Sequence, residues 1–242
     1  MTAAIIQART GSSRLPNKIF KLIEGKPLIY HITERVKRAR LVDKVIIATT
    51  NNSADNSVED WCNENNIAIY RGNENDVLNR YYNAAKAFDA DVIVRITCDD
   101  PFKDPEIIDE VINHFLQNGC DFASNNNPPT YPEGLDVEVM SFKTLETMEQ
   151  NAATEFEREH VTQYVYRNPG LFKIGNHPYF TNLSHLRWTI DTDNDLEMTR
   201  KVYAQLYPKS PFFSYKDVLK LTQQQPEITA INQNEKRSTL YN

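Results

Sequence analysis

Three cations crowd into ten residues near the N-terminus. Arg9-Thr10-Gly11-Ser12-Ser13-Arg14-Leu15-Pro16-Asn17-Lys18 follows directly on the apolar run Ala3-Ala4-Ile5-Ile6-Gln7-Ala8. A buried strand that empties into a small-residue turn carrying three cations is the outline of a polyphosphate cradle. Gly11 lets the backbone approach a ligand closely, Ser12 and Ser13 add hydroxyl and amide donors, and Arg9, Arg14 and Lys18 can neutralise several phosphate charges. A turn that merely reverses the chain needs Gly and Ser. It does not need this density of cations in a protein of net charge -6. The spacing is neither the P-loop pattern nor the three-glycine dinucleotide fingerprint.

Two groups of acids follow later strand-like runs. Arg95-Ile96-Thr97-Cys98-Asp99-Asp100-Pro101 puts two carboxylates at the end of an expected central strand, where Pro101 stops the ladder. Asp100 fits best as a turn or N-cap acid, whereas strand alternation aims Asp99 into the crevice that Arg9 and Lys18 face. A carboxylate pointing at a polyphosphate is repulsive unless a cation sits between them, so Mg2+ is the economical explanation. The second group, Asp191-Thr192-Asp193-Asn194-Asp195, follows Leu186-Arg187-Trp188-Thr189-Ile190. Asp195, and in part Asp193, suit the start of a helix beginning near Asn194, whose dipole favours acids. Asp191 is the better metal ligand, with Asp193 a further candidate.

These groups need a scaffold that brings them to one place. Short apolar runs at Ala3 to Ala8, Lys44 to Thr49, Ile67 to Tyr70, Asp91 to Ile96 and Asp121 to Ser124 alternate with amphipathic stretches at Leu28 to Ala39, Ser57 to Asn65, Val77 to Phe88 and Pro105 to Leu116. Continuous β-branched strands separated by helices predict an α/β fold with a mostly parallel sheet covered on both faces. Ligands then bind beyond the carboxyl ends of the strands. Asp104-Pro105 has an N-cap followed by a first-turn proline, and Thr154 with Glu157 fits a capping box.

The alternation breaks after Ser124. Asn125 to Pro132 is a proline and asparagine loop, expected to be a flap or an excursion toward a partner subunit, and Leu135 to Met140 reads as an alternating strand in which Glu138 is solvated. Helices are expected over about 141–151 and 155–167, strands near 171–175 and 186–190, and helices near 194–206 and 214–224.

With 242 residues, 40% hydrophobic and 25% charged, the composition is that of an ordinary soluble globular protein. The acidic balance argues against a nucleic-acid partner held by phosphate neutralisation, and a local basic pocket in an acidic chain suits a small anionic ligand. Cys62, Cys98 and Cys120 are odd in number and lack a CxxC pair, so they are expected as reduced core thiols. No secretory leader or membrane-length apolar run is apparent, giving an expectation of no membrane association and a cytoplasmic location.

Taken in order, the motifs resemble the cytidylyltransferases that activate acidic sugars, the CMP-Kdo and CMP-sialic acid synthetases, and most of all the spore-coat polysaccharide biosynthesis protein F branch. The resemblance is carried by Ile5 to Lys18, Arg71-Gly72 with Asp76-Val77-Leu78-Asn79-Arg80-Tyr81, Arg95 to Pro101, Gly134-Leu135-Asp136-Val137-Glu138 and Glu159-His160-Val161-Thr162. It spans roughly residues 3–200. It implies the nucleotide-diphosphosugar transferase fold, a Rossmann-like sheet with a strand and loop arm that often mediates dimerisation, and hence a homodimer. It implies CTP as nucleotide, a small anionic acceptor, Arg9 and Lys18 on the triphosphate, Mg2+ on Asp99, and Asp191 as second acid. Ala8, Gly11, Ser12, Arg14 and Thr97 would complete the nucleotide site, with Arg71, Asp76 and Arg80 near base or ribose. One departure is Asp100, where that branch usually has cysteine, so Asp100 could share or take the role of Asp99.

The resulting expectation is one nucleotidyltransferase domain over 1–231, with a nucleotide-binding half at 1–124, an acceptor and dimerisation segment at 125–180, a closing strand and helices at 181–231, and a polar tail at 232–242. Acceptor contacts are sought at Glu133, Asp136, Arg158 and His160. Arg158 could equally pair with Glu155, and His160 is more readily a hydrogen-bonded helix residue than a base. Rival readings are a nucleotidyltransferase using a phosphate or phosphonate acceptor or another NTP, and a non-catalytic nucleotide-binding accessory protein.

Overall fold

In the computed structural model, which describes residues 1–236, the first apolar run forms β1 (Thr2–Gln7). The chain continues through a 3-10 turn at Lys18–Phe20, a small hairpin of β2 (Leu22–Ile23) and β3 (Lys26–Pro27), α1 (Leu28–Val36), β4 (Lys44–Thr50), α2 (Asn56–Glu64), β5 (Ala68–Gly72), α3 (Val77–Ala87) and β6 (Val92–Thr97). There follow α4 (Pro105–Asn118), β7 (Phe122–Ser124), β8 (Glu138–Ser141), α5 (Phe142–Asn151), α6 (Glu155–Glu159), α7 (Gln163–Arg167), β9 (Ile174–Asn176), α8 (Asp193–Leu206), α9 (Tyr215–Gln224) and α10 (Pro226–Ala230).

Seven strands pair in the order β5-β4-β1-β6-β8-β7-β9. β1 is flanked by β4 and β6, both parallel to it, and β8 runs against its neighbours. Alternate β1 residues serve two cores. Ala4 and Ile6 pack with Leu28, Ile32 and Ile108, while Ala3 and Ile5 pack with Tyr81, Met140 and Leu145. Both faces of the sheet are therefore covered, as β-branched, non-alternating strands require. The register sets Gln7 beside Thr97 and Arg95 beside Glu138, so these four polar side chains share one sheet face near the carboxyl ends of β1 and β6.

Several expectations change. Of Leu135 to Met140 only Glu138 to Met140 enters the sheet, as part of β8 (Glu138–Ser141) inside it between β6 and β7 rather than on an outlying arm. Leu186 to Ile190 forms no ladder, only an isolated bridge from Arg187 to Glu133. It is anchored instead by Trp188 N donating to Glu133 O and Ile190 N donating to Asp99 O, both at 2.8 Å. The helix expected over 155–167 is two short helices separated at His160 to Thr162. The proline loop is tied to the body rather than free as a flap: the buried Asn125 side chain bridges Leu135 O and Val137 N. Asn232 is buried against Asp195 and Arg187, so the expected tail does not begin there; residues 237–242 lie outside the described residues. All three cysteines are buried free thiols. Among the described residues no helix is long and apolar enough to cross a membrane.

Candidate active site

The segment after β1 is shaped before any ligand enters. Thr10 donates through both its amide and its hydroxyl to Asp55 Oδ1, each at 2.7 Å, and the Thr50 hydroxyl donates to the same carboxylate. Burial alone would raise the Asp55 pKa, but these donors hold it below the usual carboxylate value. The loop closes where Asn17 N meets Thr10 O at 3.2 Å, with Leu15 buried beneath it. Asn17 takes a left-handed backbone (φ 55°), which asparagine tolerates better than most residues, and this swings the chain into the 3-10 turn that begins with Lys18.

The loop and the strand ends enclose a cavity of about 240 Å³, lined by Gln7, Arg9, Gly11, Ser12, Ser13, Arg14, Lys18, Ile19, Thr97, Cys98, Asp99 and Asp191. At its centre the Lys18 ammonium donates to Asp99 Oδ2 at 2.8 Å, Asp191 Oδ1 at 2.9 Å and the Ile190 carbonyl at 3.1 Å. Burial alone would lower the Lys18 pKa; the charges and hydrogen bonds of Asp99 and Asp191 raise it instead. Burial likewise opposes ionisation of Asp99, yet the Lys18 charge holds its pKa below the ordinary value. Lys18 and Asp99 are therefore both ionised near neutral pH. Arg14 reaches Asp191 Oδ2 at 3.0 Å, and Arg9 approaches Glu74 at 3.5 Å, leaving much of both guanidinium groups toward solvent. Leu15 N donates to the Ser12 hydroxyl, so that oxygen shapes the loop.

Other expected site residues have structural duties. Ala8 is buried in the core below the loop, its amide on Ala48 O. Arg71 donates to Thr50 O, Asn52 O, Asn56 and Glu59, stapling the segment that carries Asp55. Arg80 is completely buried and donates to Asn73 O at 2.6 Å; its Nε and Nη2 make no hydrogen bond among the described residues. Asp76 caps α3 through Asn79 N and pairs with Arg158, which also takes Glu149. Arg158 is thus committed to Asp76 and Glu149 rather than to Glu155. His160 lies edge-on to Phe156, at 4.7 Å between ring centroids, and burial lowers its pKa. Glu133 pairs with Arg187 at 3.0 Å, and Asp136 lies near Gly134 N at 3.5 Å. Asp193 opens α8 and lines a separate groove with Glu24, Leu196 and Arg200, apart from Asp99 and Asp191. Asp100 turns into the interior, onto Lys103 at 2.9 Å and the Thr97 hydroxyl at 3.0 Å.

Asp55, Glu74, Arg187 and the Arg95–Glu138 pair are not evident from residue type alone. Glu138 is only 2% exposed, not solvated; besides Arg95 it accepts from the Thr162 hydroxyl at 2.9 Å. Arg187, four residues before Asp191 and eight before Asp195, reaches both carboxylates. That recurrence of acids at a fixed spacing was the available signal.

Lys18 tests directly whether the site suits a divalent ion, because one cationic nitrogen already reaches both Asp99 and Asp191. Among the described residues no group of three or more His, Cys, Asp or Glu side chains is arranged to hold a metal. The protein would thus offer two hard oxygen ligands and leave the rest to phosphate and water, a donor set that fits Mg2+.

The sequence pattern of the cytidylyltransferase family matches residues 3–236. The chain is 31% identical over 230 residues to the spore coat polysaccharide biosynthesis protein SpsF of Bacillus subtilis, covering 92% of this chain and 94% of that one. A solved cytidylyltransferase from Leptospira borgpetersenii superposes with TM-score 0.90 at 33% identity over 98% of both chains. The fold also matches a CMP:2-keto-3-deoxy-manno-octonic acid synthetase complexed with CTP, with TM-score 0.65 at 20% identity, over 85% of this chain and 99% of that one.

Proposed function

This chain belongs to the cytidylyltransferase family, and from that premise we propose that it transfers CMP from CTP to an acidic sugar, with Mg2+ and release of pyrophosphate, in surface polysaccharide synthesis. The observation that carries this reading is the meeting of Asp99 and Asp191 on one cation at the mouth of a cation-lined loop. The acidic acceptor and the polysaccharide role are supported by what the two relatives' names say of them, a CMP–sugar-acid synthetase and a spore coat polysaccharide protein.

The chemistry required is positioning and charge neutralisation. Arg9, Arg14 and Lys18 bind the triphosphate oxygens, and the fixed backbone from Thr10 to Asn17 keeps their spacing. An acceptor oxygen attacks the α-phosphorus in line and gives its proton to solvent water, while the bond to the bridging oxygen breaks and pyrophosphate departs with the electron pair. Lys18 stabilises the negative charge that develops on the departing group. Mg2+ held by Asp99 and Asp191 would supply further neutralisation of phosphate charge.

Incubation with CTP, MgCl2 and either 3-deoxy-manno-octulosonate or N-acetylneuraminate, read by mass spectrometry, tests the proposal. A CMP–sugar with an equal amount of pyrophosphate is expected. Equal product from ATP, GTP or UTP, or undiminished product with EDTA, rejects it.

A further inference from the structure

Arg187 lies below the pocket, 7% exposed, with its guanidinium divided among three acids. Nε and Nη2 hold Asp195 as a bidentate pair at 2.9 and 3.0 Å, Nη2 reaches Asp191 Oδ2 at 3.1 Å, and Nη1 reaches Glu133 Oε2 at 3.0 Å and the Lys236 carbonyl at 3.4 Å. Asp195 is itself fixed by the amides of Asp191 and Thr192 and by the Asn232 side chain. The opposite oxygen of Asp191, Oδ1, is the one on Lys18. Arg14 shares Oδ2 but is 59% exposed, so it is the weaker constraint.

The Glu133 arm is equally determined. Gly134 has φ +103°, and a Cβ there would lie 2.8 Å from the Trp188 carbonyl carbon. Only glycine permits this approach, which lays the end of the proline loop against the segment that carries Arg187.

Resting on the cytidylyltransferase reading above, we propose that Arg187 is a positioning residue that fixes the Asp191 carboxylate with Oδ1 toward the pocket and couples that orientation to Glu133. A carboxylate otherwise free to rotate binds a metal less well, and loss of such an outer partner typically costs about 10- to 100-fold in metal affinity. The role differs from support of the fold because it predicts a change in metal dependence.

The test is the thermal shift produced by CTP as MgCl2 is titrated, which needs no acceptor. Arg187→Lys is expected to require about 10-fold more Mg2+ for half of the shift and to recover the wild-type shift at saturation. A lower baseline melting temperature with an unchanged Mg2+ midpoint overturns the proposal. Should Arg187→Lys fail to fold, Glu133→Gln decides: a midpoint raised in the same direction supports the coupling, and an unchanged one overturns it. A wild-type protein that shows no CTP shift at any Mg2+ concentration instead overturns the functional reading itself.

Discussion

Asp99 and Asp100 are adjacent in sequence but face different surroundings. Asp99 takes the Lys18 ammonium at 2.8 Å on the pocket wall, while Asp100, 4% exposed, takes Lys103 at 2.9 Å inside the fold. Burial pushes the Asp100 carboxyl up to about 7, with Asp99 and Asp136 adding to the effect against Lys103. Asp99→Asn is expected to slow turnover about 10²-fold. Asp100→Asn should retain CTP binding and change the stability profile. A raised carboxyl pKa means that the unfolded chain releases its proton first, so this group makes wild-type stability fall as pH rises from about 4 to about 7. Chemical denaturation of both proteins across that range checks it: the variant should lack this component.

Lys18 neutralises two carboxylates that no other described lysine reaches. Lys18→Met leaves Asp99 and Asp191 facing each other, and the unliganded protein is expected to lose about 1–3 kcal/mol. MgCl2 without nucleotide should then stabilise the variant more than wild type, since a divalent ion can take the vacated position. Melting temperatures with and without MgCl2 measure this, and equal responses would contradict the shared-cation geometry.

Asp55 gives the loop an acid-sensitive anchor. Its folded pKa is depressed below the model-compound value of 3.8, so its contribution is present above that value and is lost as pH falls through the folded pKa. Asp55→Asn should therefore flatten the stability loss below about pH 4 and weaken CTP binding at pH 7 by releasing Thr10. Unfolding by denaturant between pH 5 and pH 2.5, paired with calorimetric CTP titration, reads both effects.

Arg158 and Asp76 join the start of α3 to α6. Truncating either should reduce stability by roughly 1 kcal/mol. A double-mutant cycle with Asp76→Ala and Arg158→Ala should give a non-zero coupling in stability, with CTP affinity changed far less than in Lys18→Met.

The strands nearest the site were legible because most of their residues are buried on both faces: Thr2–Gln7, Lys44–Thr50 and Val92–Thr97 are apolar or β-branched apart from Gln7, Lys44 and Arg95. Their parallel arrangement placed the cradle and Asp99 at one sheet end, and alternation aimed Asp99 correctly. The capping box at Thr154 was an equally local signal. Leu186 to Ile190 was misread because its hydrogen bonds go to Glu133 and Asp99 rather than to a neighbouring strand, a choice made by tertiary packing. Asp55, Glu74 and the Glu133 contact of Arg187 were overlooked for the same reason. Asp55 meets Thr10 across 45 residues and Arg187 meets Glu133 across 54, distances over which residue spacing carries no geometric information.

Calorimetric titration of ATP, GTP, UTP and CTP into wild-type protein and Asp99→Asn, each at fixed MgCl2 and again with EDTA, decides whether the site takes CTP with a metal on Asp99. Wild type with MgCl2 is expected to bind CTP in preference to the other three. Either EDTA or Asp99→Asn is expected to weaken CTP binding at least about tenfold, or 1.4 kcal/mol. Equal binding of all four nucleotides, or CTP binding untouched by both EDTA and Asp99→Asn, would contradict it.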